Sequence, residues 1–143
     1  MPETPKHSVR VAGIVVNDHA QVLVIQRADN GHWEPPGGVL ELGESFEHGV
    51  AREVFEETGV RVSVDRLTGV YKNMTRGVVA LVFRCTPGNE PARLSDEATS
   101  VRWLDPDAVT ELMDPAYAVR VTDALNDGPP VTRAHDGVHL VCA

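Results

Sequence analysis

The sequence predicts an α+β fold, and three observations carry that expectation. Val-rich runs bounded by Gly, Pro and Asn read as strands. One helical segment has both of its ends marked, and two short Pro-led helices follow late in the chain. Val9 to Val16 reads as the first strand, Asn17-Asp18-His19 as a turn, and Gln21 to Gln26 as a second strand linked to the first as a hairpin. Ala28 to Gly38 contains Asn30-Gly31, Pro35-Pro36 and Gly37-Gly38 and is expected to be a loop. A helix is expected from Phe46 to Thr58, with Ser45 as its N-cap and Gly59 as its stop. Val60 to Tyr71 and Gly77 to Cys85 read as β, Thr86 to Thr99 as a long polar connection, and Ser100 to Leu104 as a short strand. Pro106 to Met113 and Pro115 to Asn126 read as helices with Pro in the first turn and Asp near the start. Residues 1–7 read as a frayed terminus. In the tail at 128–143, Val138 to Cys142 reads as an edge strand or a flexible end.

Composition narrows the function. The 143 residues are enough for one domain, with 42% hydrophobic and 24% charged residues. Repeats, low-complexity tracts and composition breaks are absent, so residues 1–143 are expected to form a single domain. No apolar run approaches the roughly 20 residues of a membrane span, and the first ten residues lack the apolar core of a signal peptide. A cytoplasmic protein without a membrane partner is the expectation. Thirteen Lys plus Arg against 21 Asp plus Glu leave a net charge of −8, which repels nucleic acid. An acidic protein that handles phosphates needs a metal between the two. Cys85 and Cys142 lack CxxC spacing, which argues against zinc or a redox pair.

The chemistry concentrates in Gly38-Val-Leu-Glu-Leu-Gly-Glu44-Ser-Phe-Glu-His-Gly-Val-Ala-Arg52-Glu53-Val54-Phe-Glu56-Glu57-Thr-Gly59-Val60. On a helix, Glu53 lies three residues from Glu56 and four from Glu57, so the three carboxylates share a face. They repel one another unless a cation sits among them, and hard oxygen ligands select Mg²⁺ or Mn²⁺. Phe46, Val50 and Val54 form an apolar stripe expected to anchor the helix on a sheet, and Ala51 and Phe55 widen it toward a second buried face. Glu47 falls inside that arc. Arg52 stands beside the cluster with Glu44 within reach, and Gly37-Gly38 permits close approach of backbone carbonyls.

These residues resemble the Nudix box: Gly, five residues, Glu, seven residues, Arg-Glu, aliphatic, any residue, Glu-Glu, any residue, Gly, aliphatic. Every fixed position is filled over 23 of the 143 residues. At roughly 7% usage each, seven such identities coincide by chance on the order of once in 10⁸ trials. The order of strands around the box is similar to the family's α/β/α sandwich with a mixed sheet. Pro36-Gly37-Gly38 matches the usual lead-in, whereas Pro35 replaces a bulky apolar residue. The resemblance implies a Mg²⁺- or Mn²⁺-dependent hydrolase that cleaves a phosphoanhydride bond in a nucleoside diphosphate linked to a moiety X. It implies that Gly38, through its carbonyl, and Glu53, Glu56 and Glu57 hold the metal, with Glu44 and Arg52 as structural support. The general base varies in the family between a box glutamate and a carboxylate on a later loop.

Glu97, six residues ahead of Trp103, is the candidate for that later carboxylate, as a ligand and in catalysis beside Glu53 and Glu57. Arg27, Tyr71 and Arg76 are candidate substrate contacts. Trp33-Glu34 before the lead-in resembles a pair found in relatives that sanitise oxidised purine nucleotides. His32, His48, His135 and His139 show no ligand spacing. The proline of ADP-ribose-type relatives, the tyrosine of dinucleoside-polyphosphate relatives and a coenzyme-A-type motif are all missing from their places. A nucleoside triphosphate, normal or modified, giving monophosphate and pyrophosphate is therefore the expected substrate, with ADP-ribose or a nucleotide sugar as the alternative. A sensing module that binds a nucleotide without turnover is the alternative of a different class. Many relatives are dimers, so a homodimer is left open.

Overall fold

The structure is a computed structural model that describes residues 3–142. Nine strands and three helices are seen among the described residues: β1 (Ser8–Val15), β2 (Val22–Arg27), β3 (Trp33–Glu34), β4 (Gly37–Val39), α1 (Phe46–Thr58), β5 (Val62–Asn73), β6 (Val78–Pro87), β7 (Ala98–Leu104), α2 (Pro106–Leu112), α3 (Pro115–Leu125), β8 (Val131–His135) and β9 (Leu140–Val141). Residues 3–7 are exposed and carry no element; residues 1, 2 and 143 of the expected frayed and uncertain ends lie outside the described chain.

Strand periodicity explains the layering. Along β1, Val11 and Val15 pack toward α1 in one core with Leu23, Val50, Val54, Val60, Phe83 and Cys85. Ala12 and Ile14 point the other way, into a core with Val22, Val24 and residues of α2 and α3 such as Val109 and Val121. The strands thus lie between helices on both sides, the expected sandwich. The larger sheet runs β4-β1-β6-β5-β8-β9, with β1–β6 and β5–β8 parallel and its other pairs antiparallel. The smaller one runs β3-β2-β7.

Three expectations are corrected, and a fourth, left open for the tail, is settled. The first two strands do not form a hairpin: β1 and β2 belong to different sheets, and among the described residues the only pairing between the two segments is the isolated bridge Val16↔Val22. The turn itself forms, with Asn17 Oδ1 accepting from the backbone N–H groups of His19 and Gln21. Turn chemistry reverses the chain; it does not choose the next partner, and β2 takes β7 instead. Second, Ala28 to Gly38 is not all loop, since β3 pairs with β2 and β4 with β1. Gly37 is needed at this crossing, because a Cβ there would run into Val11 O and Ala12. Third, Phe46 is 44% exposed at the first turn of α1, so Val50 and Val54 alone carry the buried stripe. Phe55 is half-buried, with the Arg61 guanidinium 4.3 Å from its ring centre, and Glu47 is exposed. Fourth, the tail contributes β8, which extends the larger sheet beside β5, and only Leu140–Val141 of the Val138 to Cys142 stretch is a strand.

The helix ends behave as read. Ser45 Oγ accepts from His48 N–H at 3.2 Å, and Gly59 adopts the left-handed conformation (φ 75°) that closes α1. Both Pro-led helices form, without a side-chain cap bond from Asp105 or Asp114. Among the described residues no helix is long and apolar enough to cross a membrane.

Candidate active site

The capped helix α1 presents Glu53 and Glu57 one turn apart toward β4, and both are buried, at 8% and 3% exposure. Glu97, on the turn before β7, meets them; its loop is fixed by a 2.9 Å bond from Ala28 N–H to the Glu97 carbonyl. One carboxylate oxygen from each of Glu53, Glu57 and Glu97 lies within 4.8 Å of the others. Gly38 passes so near that a Cβ would stand 2.5 Å from the Glu53 carboxylate, so the position requires glycine.

Arg52 organises the rim. Its Nε and Nη2 donate to the two oxygens of Glu44 at 2.9 and 2.5 Å, and Nη1 donates to Glu53 at 2.9 Å and to Glu56 at 3.2 Å. This two-point bond holds the Glu44 carboxyl down at about 2, with the Glu41 N–H adding to it. Glu56 is exposed and turned to Arg52, outside the trio.

Inside the trio the balance runs the other way. Burial pushes Glu57 up to about 8, and the charges of Glu53, Glu97 and Glu34 add to it, against the Gly37 N–H that donates to it at 2.7 Å. Burial also raises Glu53, with Arg52 opposing. Two desolvated carboxylates and a third from across the cleft are a costly arrangement without a cation, and an all-oxygen donor set suits Mg²⁺ or Mn²⁺. The residues present therefore fit the expected metal.

A pH dependence follows. The folded protein keeps the Glu57 proton up to about pH 8, whereas an unfolded glutamate releases it near 4.5. The folded state thus binds more protons in that window, and stability falls as pH rises through it. His135, whose pKa is lowered by burial and by Arg120, contributes the opposite slope below its ordinary 6.5. The buried Cys85 thiol, pushed up to about 12 from 9, adds a slope of the same sign as that of Glu57 toward pH 9, so Glu57 stands alone between pH 7 and 8. Thermal scans of chelator-treated protein are expected to show a falling melting temperature from pH 7 to 8, restored by Mg²⁺. A flat profile without metal contradicts the buried acid.

The other expected contacts are placed as follows. Arg27 lines the cleft but is engaged by Asp29 at 2.6 and 2.9 Å and by Glu34 at 3.1 Å. Tyr71 is fully buried and its hydroxyl donates to Asp123 at 2.8 Å, so it offers a ring wall and not a free hydroxyl. Arg76 is exposed on the rim of a larger adjoining cavity. Trp33 and Glu34 form β3, with Arg102 5.4 Å from the Trp33 ring centre. The cleft of the trio, about 400 Å³, and the adjoining cavity, about 660 Å³, share Arg10, Arg27, Asp29, Gly37, Gly38 and Val39 as common wall. The sequence pointed to no role for Arg120 and raised His135 only as a metal ligand; both are buried and line the larger cavity. A signal existed for Arg120: it falls four residues from Ala116 and from Ala124, on the apolar face of α3.

Comparison with known proteins agrees with this geometry. A family profile described as the NUDIX domain matches residues 6–125. A "MutT-like protein" of Streptomyces ambofaciens is 61% identical over 97% of this chain and 90% of its own length. A "putative 8-oxo-dGTP diphosphatase" of Bacillus subtilis is 29% identical over 82% of this chain and 80% of its own. An "ADP-ribose pyrophosphatase" of Methanocaldococcus jannaschii is 34% identical over 68% of this chain and 62% of its own. The crystal structure of a MutT protein from Bacillus halodurans superposes with a TM-score of 0.75 at 28% identity, covering 94% of this chain and 95% of that one.

Proposed function

Because the chain belongs to the Nudix family, a group of pyrophosphohydrolases, we propose that it cleaves the inner phosphoanhydride bond of a nucleoside triphosphate, releasing a monophosphate and pyrophosphate. The observation that carries this reading is the convergence of Glu53, Glu57 and Glu97 in a cleft continuous with a cavity large enough for a nucleoside. Relatives bearing the names MutT-like protein and 8-oxo-dGTP diphosphatase support a triphosphate; the relative named for ADP-ribose makes that compound the comparison substrate. β8 supplies cavity wall from beyond the matched family region.

Glu53, Glu57 and Glu97, with the Gly38 carbonyl, would hold the divalent ion, and Glu56, now bonded to Arg52, would be a further ligand. A bound Mg²⁺ or Mn²⁺ supplies neutralisation of the diphosphate and a lowered pKa for the attacking water. Glu97, the exposed member at the mouth of the cleft, takes the proton of that water as its oxygen bonds to phosphorus, and the bridging oxygen leaves with the bond pair. Arg52 and Glu44 act through position, keeping Glu53 in line.

Glu97→Gln tests the assignment. Its melting temperature is expected to match wild type, while kcat falls by about 10² to 10³. Wild-type turnover in a folded Glu97→Gln protein removes Glu97 from the mechanism.

A further inference from the structure

The larger cavity is lined by a cation that forms no ion pair among the described residues. Arg120 projects from α3 and is 6% exposed, with its guanidinium carbon 4.9 Å from the Tyr71 ring centre and 4.6 Å from that of Tyr117. The nearby acids are taken: Asp123 by Arg133 at two points and by the Tyr71 hydroxyl, Glu34 by Arg27. Among the described residues Arg120 Nε has no hydrogen-bond partner.

Its neighbour makes the deficit worse. Arg120 Nη2 lies 3.3 Å from His135 Nε2. His135 Nδ1 accepts from the Gly137 N–H at 3.0 Å, which assigns the ring proton to Nε2. Arginine has donors only, so two N–H groups face each other. Protonating the ring would not help, because imidazolium also donates at Nε2. The other neutral tautomer would pair Arg120 Nη2 with Nε2 but set the Gly137 N–H against Nδ1–H. One donor of this group thus stays unpaired in either arrangement besides Arg120 Nε, and buried donors left in this state are costly. What the floor of the cavity lacks is an oxygen acceptor.

We propose that Arg120 and His135 form a specificity subsite for an oxygen acceptor on the part of the substrate beyond the cleaved diphosphate. The acceptor is a carbonyl of the base or an anionic phosphate oxygen; both present lone pairs in the plane of the guanidinium edge. The cavity joins the subsite to the carboxylate cleft through the shared wall of Arg10, Gly37 and Gly38, so one extended molecule reaches both. The inference rests on the hydrolase reading for the identity of the ligand, and it adds that the selection is made by α3 and β8, away from the box.

The test compares Arg120→Met, Arg120→Lys and wild type with Mg²⁺ and GTP, ITP or ATP, which differ in a carbonyl or an amino group on the six-membered ring. Calorimetric titration with inorganic phosphate forms the second arm. Arg120→Met is expected to raise KM for the preferred substrate about tenfold or more, with kcat within about threefold. The melting temperature of ligand-free Arg120→Met is expected to equal or exceed wild type, because an unpaired buried charge is removed. Loss of a GTP and ITP preference over ATP, with no phosphate binding, assigns the base carbonyl. Phosphate binding that is lost in Arg120→Met and kept in Arg120→Lys assigns the anion. Should Arg120→Met not fold, His135→Ala is expected to give the same KM and selectivity changes. Unchanged KM and selectivity in a folded variant overturns the subsite while the hydrolase reading stands. A wild-type enzyme that cleaves no nucleotide overturns the hydrolase reading, and Arg120-dependent phosphate binding then decides the subsite on its own.

Discussion

Glu57→Gln is expected to lower kcat by about 10³-fold, the equivalent of several kcal/mol of transition-state stabilisation. The fold should survive, because the amide oxygen of glutamine still accepts from the Gly37 N–H that Glu57 binds at 2.7 Å. Stability should even improve in the absence of metal at pH 9. There the wild-type carboxylate is charged, buried and beside Glu53 and Glu97, whereas glutamine is neutral. Loss of activity with a gain in metal-free stability separates a functional carboxylate from a structural one. Steady-state kinetics and thermal scans on the same preparation check both. A variant that is inactive and also less stable at pH 9 would instead make Glu57 part of the scaffold.

Arg52→Met carries the largest expected loss of stability. Arg52 donates to Glu44 twice, to Glu53 and Glu56 once each, and to the Val39 carbonyl at 3.3 Å, so it ties the loop before α1 to the helix and to β4. Without it, Glu44 and Glu53 face each other's charge with no cation between them. A fall in melting temperature of about 5 °C or more is expected at neutral pH. Turnover is expected to drop about 10- to 100-fold as Glu53 loses its fixed position. Arg52→Lys should recover little, since an ammonium cannot bond both Glu44 oxygens and Glu53 from one planar fork. Full recovery by lysine would show that charge alone matters at this position.

Local chemistry made part of the molecule legible. Ser45 and Gly59 bracket α1 because capping acts within a few residues, and the spacing of Glu53 and Glu57 fixes a shared face once the helix is given. Glu97 was within reach because its distance from the Trp103 strand resembles that in relatives. The missed features depend on partners far along the chain. β1 and β2 read as a hairpin from their turn, yet β1 pairs with β4 and β6, which no residue near Asn17 announces. β8 is a five-residue strand with a Thr and an Arg in it, and it becomes a strand by lying beside β5. Arg120 falls on the apolar face of α3 in the sequence, but only tertiary packing sets it between two tyrosines and a histidine. Glu56 shares its helix face with Glu53 in the sequence, but Arg52 draws it to the rim.

The most direct test of the account is product-resolved turnover of wild type with Mg²⁺ over normal and oxidised nucleoside triphosphates, ADP-ribose, nucleotide sugars and dinucleoside polyphosphates, followed by phosphorus NMR. The account predicts that a triphosphate is cleaved fastest, to a nucleoside monophosphate and pyrophosphate, and that chelation abolishes the reaction. Release of inorganic phosphate with a nucleoside diphosphate, or no cleavage across the panel by folded protein that binds Mn²⁺, would contradict it.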